Sequence, residues 1–567
     1  MGELYEPLVN NMSEWIKLKS QSCKDCYKCI RHCRMKAIRF SGNLAYNVEN
    51  LCVLCGHCYI SCPQNAKVIV SDVEKVKVML QSDKVIALAS PTYLAYFNTT
   101  YRAFEDGCKK LGFVGLEEET LGYEIVLKEY DKILKKGEKN LYISSQCHSV
   151  NLMIQKYHSK LLPNLMNVVS PMIASAMDIK KRHPDYKVIY IGPCIAKKDE
   201  AERYNKLIDG VLMFNEVQDM FAKDKIVLNA KLKDDKLYKA REAVSFGGIE
   251  KLMKANPNYE FVSVSGVDSC KYDLAEIGRG NIKNAFIIMD MCKNSCLSGP
   301  TFIKLNHNSE ITQKINMQNH YGKDVYSDAK YSHEDLAKYF DEIKLELKKP
   351  SKEELKEILI TMGKDTPEKI LNCGVCGYST CYNKAIAIYN GMAEPSMCVS
   401  YMTEQAESFA ENILQNAPFA VMAVNDKMEV QIFNSRAKRL FNIQNVNDIM
   451  GHPLSEILDT KDIESCYTDD KDQFSKEMYL SEYDKYVEEI IVPDKKHRNT
   501  IIILRDLSDV VNYKKKIETI DKNAIQIADN VIEKQMKIVQ EIASLLGETT
   551  AETKVALTKL KESLSDE

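Results

Sequence analysis

The spacing of its cysteines limits this chain more than any other feature. Cys23, Cys26, Cys29 and Cys33 form a CxxCxxCxxxC run, and Cys52, Cys55, Cys58 and Cys62 repeat it with Pro63 after the last. In each run three thiols share a short loop and a fourth stands apart, able to close a site from another part of the fold. Single cysteines at Cys147 (SSQCHS) and Cys194 (GPCIAKKDE), and a pair at Cys292 and Cys296 (DMCKNSC), each follow an apolar run. Cys373, Cys376 and Cys381 form CxxCxxxxC, with Cys398 farther on. Of the 19 cysteines only Cys108, Cys270 and Cys466 are left over, and these read as structural thiols, although Cys270 follows a strand-like FVSVSGV segment that could bring it near a metal site.

Composition bounds the rest. A chain of 567 residues should contain three to five units with separate cores. Lys plus Arg is 77 against 80 for Asp plus Glu, which leaves no basic stripe to neutralise nucleic-acid phosphates. No apolar run is long enough to cross a bilayer, and the start, MGELYEPLVNNMSEW, has neither a charged nor an apolar leader region. A soluble, cytoplasmic protein with neither nucleic acid nor membrane as partner is expected. Cytoplasmic thiols stay reduced, so cysteines at this density point to metal ligands rather than disulfides.

The two amino-terminal runs resemble the bacterial two-cluster ferredoxins, in which three close cysteines hold one 4Fe-4S cubane and the fourth ligates the other. The resemblance implies two 4Fe-4S clusters on eight thiolates. Paired zinc knuckles are the alternative, but zinc favours two separated pairs of ligands. Arg34 stands where the second copy has Pro63, which removes no ligand.

From about residue 83 apolar runs alternate with helical stretches, as in an α/β unit. Strands are expected from Val85 (VIALAS), Leu141 (LYIS), Lys187 (KVIYIG) and Ala285 (AFIIM), each ending in a turn. Ligand sites of open α/β sheets gather at such carboxyl ends, so Cys147, Cys194, Cys292 and Cys296 should converge. These segments resemble the three signature loops of the FeFe hydrogenase catalytic domain. That resemblance makes the four cysteines ligands of an H-cluster, a 4Fe-4S cubane bridged to a two-iron subsite carrying carbonyl, cyanide and azadithiolate, with Cys296 as the bridging thiolate. It also gives Lys197 the place of the lysine that donates to a cyanide, and Ser90 and Pro91 that of the turn covering the two-iron subsite. Gln146 occupies the place of the family's proton-passing cysteine, and an amide cannot titrate near neutral pH, so the usual relay is broken at its first step. Gly192 replaces a methionine, and the tail of the third loop is reduced to LSGP. These departures point to the slow, sensory branch of the family, or to a domain that keeps a cubane without the two-iron subsite.

A Lys/Glu-rich helical stretch near residues 336 to 364 is expected before the Cys373–Cys398 motif. That motif resembles the small 4Fe-4S domain of electron-transfer and corrinoid proteins, and Gly374 and Gly377 let backbone amides approach a cluster. Structural zinc is its alternative. Beyond about Glu407, the segment ILQNAPFAVMAVNDKMEVQIFNSRAKRLF resembles a PAS domain: helix, strand, a turn at Asn425 and Asp426, strand, then a helix containing Asn434 and Ala437, with TIIILRDLS as a final strand. His452 reads as a polar surface residue rather than a haem ligand. Ile517, Ile520, Ala524, Ile527 and Val531 mark an apolar helical seam that shifts to Ile532, Val539, Ile542 and Leu546. Gly547 is expected to break that helix, with Thr549 and Glu552 restarting it.

The chain is thus read as a multidomain α/β and α+β protein. Its parts are a ferredoxin-like two-cluster domain (1–78), an FeFe hydrogenase α/β catalytic domain (79–345), a small 4Fe-4S domain (346–405), a PAS domain (406–512) and C-terminal helices (513–567). The implied function is a hydrogen sensor of low turnover in an anaerobe. It would take hydrogen as substrate and exchange electrons with a partner such as ferredoxin. It would signal to a downstream kinase or phosphatase and pair as a homodimer. A ferredoxin-coupled hydrogenase and an iron–sulfur redox sensor without hydrogen chemistry are the rival readings.

Overall fold

The repeated cysteine run is also a repeated backbone. A computed structural model describes residues 14–563 apart from 230, 236, 306–308, 326–329, 464–472 and 495. Asp25, Tyr27 and Lys36 in the first copy, and Leu54, Gly56 and Asn65 in the second, all have left-handed φ, from 39° to 74°. Non-glycine residues adopt that region only where the surroundings hold them. In each copy a five-residue helix follows, Lys28–His32 and then His57–Ser61. Two antiparallel ribbons flank them, β1 (Ile16–Leu18) with β4 (Lys67–Ile69) and β2 (Ile38–Ser41) with β3 (Leu44–Asn47).

The four expected strands of the central region all form: β5 (Val85–Ala89), β7 (Leu141–Ile143), β8 (Lys187–Gly192) and β11 (Ala285–Asp290). They divide between two parallel sheets. One has the order β6-β5-β8-β9, with β6 at Gly115–Glu118 and β9 at Gly210–Met213; the other has the order β10-β11-β7, with β10 at Glu260–Ser265. The turn expected at DMCKNSC contains a short strand, β12 (Lys293–Cys296). β5, β8 and β9 are buried along nearly their whole length, as parallel strands covered on both faces are.

Two apolar cores serve this part of the chain. One surrounds β5 and β8. The other takes residues from the amino-terminal cysteine repeat, from β7 and β11, and from Tyr378, Met392 and Met397. The stretch expected to be helical over 336–364 is mostly extended after the short helix His333–Leu336, and only Lys352–Thr361 is a full helix. Its backbone is used elsewhere: Val169 N–H donates to Leu336, Lys338 N–H to Asn167 and Ile343 N–H to Gln155.

The chain divides into two compact units, up to Met402 and from Thr403. The second unit contains a five-stranded antiparallel sheet in the order β14-β13-β17-β16-β15. Its strands are β13 (Ala420–Val424), β14 (Val430–Phe433), β15 (Phe474–Leu480), β16 (Lys485–Asp494) and β17 (Asn499–Asp506). Asn434 lies just before the helix Ser435–Leu440 rather than within it. Its Oδ1 accepts from Ala437 N–H at 2.9 Å, and its amide donates to Leu414 and Phe419 carbonyls. His452 is half exposed beside Glu456. Ser508–Ser563 is one unbroken helix of 56 residues. Gly547 does not interrupt it, because a single interior glycine costs only about 1 kcal/mol. Thr549 donates back to the Leu545 and Leu546 carbonyls instead of capping a new start. Among the described residues no helix is long and apolar enough to cross a membrane.

Candidate metal and catalytic site

In the amino-terminal repeat the thiols regroup across the two runs. Cys23, Cys26, Cys29 and Cys62 line one narrow cavity with Tyr27, Phe40 and Pro63. Cys33 lies instead within electrostatic reach of Cys52, Cys55 and Cys58. Burial pushes Cys52 up to about 12, and burial together with the charges of neighbouring thiols lifts Cys55 well above the usual thiol range. Cys62 goes the other way: against the push of burial, backbone N–H groups of Ala66, Lys67 and Gln64 hold it below the usual thiol range. Three thiols from one run plus the last of the other therefore make each set.

The second repeat touches the central region directly. A Cβ at Gly56 would meet Pro300 Cγ at 2.4 Å and Ile195 Cδ1 at 3.1 Å. Lys156 Nζ donates to the Glu49 and Cys52 carbonyls, and Tyr157 Oη to that of Leu51.

The central thiols converge. Cys292 feels the charges of Cys194, Cys147 and Cys296, and Cys296 those of Cys194 and Cys147. Strand pairing is the cause. Ser144 N–H donates to Ile287 O, which seats the Cys147 loop beside the chain leading to Cys292. Burial raises Cys147 to about 12 and lifts Cys292 and Cys296 well above the ordinary range. Four such thiols ionise together only around a positive core, which is the chemistry of an iron cluster. Among the described residues no three His, Cys, Asp or Glu side chains close to single-ion distance.

Gln146 Nε2 donates to Met289 O at 3.1 Å and to Asp290 Oδ1 at 3.2 Å, leaving its buried Oε1 without a partner among the described residues. Asp290 also accepts from Ser295 Oγ at 2.6 Å, and burial lifts its carboxyl above the usual range. Lys197 is buried, with Nζ 2.8 Å from Glu200 Oε2, 3.2 Å from Ser170 Oγ and 3.8 Å from Glu119 Oε1. Those carboxylates keep it charged against the cost of burial. Ser90 N–H donates to Ile191 O, so the Ser90–Pro91 turn lies beside the second loop; Ser90 Oγ pairs with Thr92 Oγ1 at 3.0 Å. A Cβ at Gly192 would stand 2.6 Å from the Tyr190 ring, which occupies the space beside this position.

Several neighbours escape sequence reasoning. Tyr190 Oη donates to Glu119 at 2.9 Å, and Tyr190 and Tyr123 both feel the Cys296 charge. Arg241, fully buried, grips Glu118 with two bonds of 2.9 and 3.0 Å, and Tyr93 Oη adds a third at 2.7 Å. The adjacent carboxylates in GLEEET, set in an otherwise apolar stretch, are the only signal that could have drawn attention to them. Of the spare thiols Cys108 is buried, and Cys270 is buried with Sγ donating to Asp290 O, close to Cys147. Cys466 lies outside the described residues.

In the last thiol group, Cys376, Cys381 and Cys398 all lie within reach of Lys384. Cys373 is exposed. Lys384 is buried and donates to Pro395 O at 3.0 Å, and Lys67, near Cys29, is likewise buried against Ala45 O. Neither has a carboxylate at ion-pair distance among the described residues. A buried cation needs a counter-charge, and an anionic iron–sulfur group held by the facing thiolates supplies one. The residues therefore fit such groups.

Comparison with known proteins agrees in part. Residues 75–255 match the family model for the iron only hydrogenase large subunit, C-terminal domain, and residues 371–400 match that of a putative Fe-S cluster domain. The first match includes Ser90, Pro91, Gln146, Cys147, Cys194 and Lys197 and ends before Cys292. Among solved structures, a variant of the FeFe hydrogenase HydA1 from Chlamydomonas reinhardtii is 16% identical over 49% of this chain and 100% of its own, with a TM-score of 0.39. An FeFe hydrogenase structure titled for oxygen inactivation through its 2Fe subcluster gives 15%, 49%, 100% and 0.40. The PAS domain of an HTR-like protein from Haloarcula marismortui is 15% identical over 19% of this chain and 96% of its own, with a TM-score of 0.16. The chain thus contains a region similar to the FeFe hydrogenase catalytic domain and an iron–sulfur domain.

Proposed function

We propose that the chain is a sensory FeFe hydrogenase, in which a slow hydrogen-splitting site reports to a PAS-like domain. The convergence of Cys147, Cys194, Cys292 and Cys296, with Gln146 in the first loop, carries this reading. When bound, an H-cluster supplies the iron at which H2 is cleaved to two protons and two electrons. The protein's part is to enclose and orient. Lys197, held by Glu200 and Ser170, would offer a fixed cation to an anionic cyanide of that group. Tyr190 and Tyr123, both buried within electrostatic reach of Cys296, would help to keep water from that side. Gln146 ties the first loop to Asp290 but offers no titrating proton at its own position. Two ferredoxin-type clusters and one on Cys373, Cys376, Cys381 and Cys398 would carry electrons, with ferredoxin as the soluble partner.

The output is the long helix. Val510, Tyr513, Ile517, Ile520, Ala524, Ile527 and Val531 follow alternating steps of three and four, and all are exposed. In a parallel, in-register homodimer this seam closes, and it brings Asp509 opposite Lys514 of the second copy and Lys516 opposite Asp521. A downstream kinase or phosphatase would read the paired helices.

Infrared spectroscopy of the chain, matured by competent partners, tests the site. Carbonyl and cyanide stretching bands are expected; their absence defeats hydrogen chemistry and leaves a redox sensor. With bands present, the Gln146→Cys variant should raise turnover by roughly 10²-fold if the missing thiol is limiting. Wild-type turnover equal to that of hydrogen-producing enzymes would instead identify an ordinary hydrogenase.

A further inference from the structure

The Cys373–Cys398 segment is not a separate appendage. Phe40 N–H donates to Met392 O at 2.9 Å, Gly42 N–H to Glu394 Oε1 at 3.1 Å, and Arg31 Nη1 to Val375 O at 3.3 Å. A Cβ at Gly377, whose φ is +95°, would stand 3.1 Å from both Arg31 N and Ile30 Cγ2. The loop bearing Cys376 is therefore pressed against the helix that leads to Cys33.

Two side chains occupy this seam. Lys36 donates to Ile30 O at 3.1 Å and sits over the Tyr378 ring at 5.9 Å, within electrostatic reach of both Cys33 and Cys376. Tyr378 faces the same two thiols, Cys376 more strongly. It is 4% exposed, and its buried hydroxyl has no hydrogen-bond partner among the described residues. A buried O–H without an acceptor is costly, and a sulfur of a group held by the facing thiols would supply one.

We propose that Tyr378 donates a hydrogen bond to a sulfur of the iron–sulfur cluster held by Cys373, Cys376, Cys381 and Cys398, and so sets its reduction potential, while Lys36 biases that cluster and the one held by Cys33 together. This rests on the cluster assignments above. Hydrogen bonds and positive charge near cluster sulfurs favour the reduced, more negative state. Tyr378 is then a positioning residue for electron exchange at the junction of two sites.

The test uses the full chain with its clusters reconstituted anaerobically. The feature lost from the electron paramagnetic resonance spectrum in Cys398→Ser identifies the cluster. In redox titrations Tyr378→Phe should move that feature to a more negative midpoint and leave the others in place. Lys36→Met should lower two midpoints. Pulsed measurements in D2O should show an exchangeable proton coupled to this cluster in wild type and not in Tyr378→Phe. An unchanged midpoint with the proton coupling retained overturns the role of Tyr378 and leaves the cluster assignment standing. If Cys398→Ser removes neither iron nor any signal, the cluster assignment itself fails and the proposal fails with it.

Discussion

Arg241 is the side chain with most to lose. Its guanidinium and the Glu118 carboxylate are both fully buried, and Tyr93 and Thr120 complete the carboxylate's bonds. Removing one partner leaves a lone charge in the core, so Arg241→Met should cost about 3–5 kcal/mol, read as a lower midpoint in denaturant unfolding. Adding Glu118→Leu should restore only part of that loss, since it removes the lone carboxylate but leaves the buried Tyr93 and Thr120 hydroxyls without their acceptor and Asp234 without its cation. The effect should also reach the candidate site. Glu118 precedes Glu119, which binds Tyr190, and Tyr93 lies two residues beyond Pro91. None of this was legible in the sequence, because Arg241 and Glu118 are 123 positions apart, as are no members of a local motif. The thiols were legible because ligand spacing is a local property. Their regrouping into sets that cross the two runs came only through the family resemblance.

Elements were read well where periodicity or composition is strong and poorly where tertiary contacts decide. The strands β5, β7, β8 and β11 are apolar enough to be seen, but β6, with two glutamates among four residues, is not. Nor does composition say that β5 and β8 belong to one sheet and β7 and β11 to another. Gly547 shows the opposite error, in which a local breaker is overruled by the length of helix on each side. At the crossing of the helices Thr120–Lys136 and Pro171–Arg182 a glycine is required by closeness alone. A Cβ at Gly122 would fall 1.8 Å from Pro171 O. Gly122→Ala should therefore cost about 3 kcal/mol, by forcing the two helices apart, and lower the thermal midpoint of the first unit. The same change at Gly547, which meets nothing within 4 Å, should leave the midpoint unmoved or slightly raised.

For the whole molecule the long C-terminal helix is the decisive feature. At about 1.5 Å per residue its 56 residues span roughly 84 Å, and an isolated helix exposing so many isoleucines gains nothing from packing. If the proposed seam pairs two copies, the wild-type chain should be a dimer by light scattering and the Ile520→Asp and Ile527→Asp double variant a monomer. Pairing that persists in the variant would remove this seam as the interface. Loading should matter as much as pairing. In the first unit Cys29, Cys33, Cys52, Cys55, Cys147, Cys194 and Cys376 all pack against one continuous apolar core. Metal held at those positions is then inseparable from the free energy of folding itself. A chain deprived of iron would then be a less stable fold rather than an intact one awaiting its clusters. Cellular proteases remove chains that fail to reach a stable fold, so the amount of this protein should follow the iron supply.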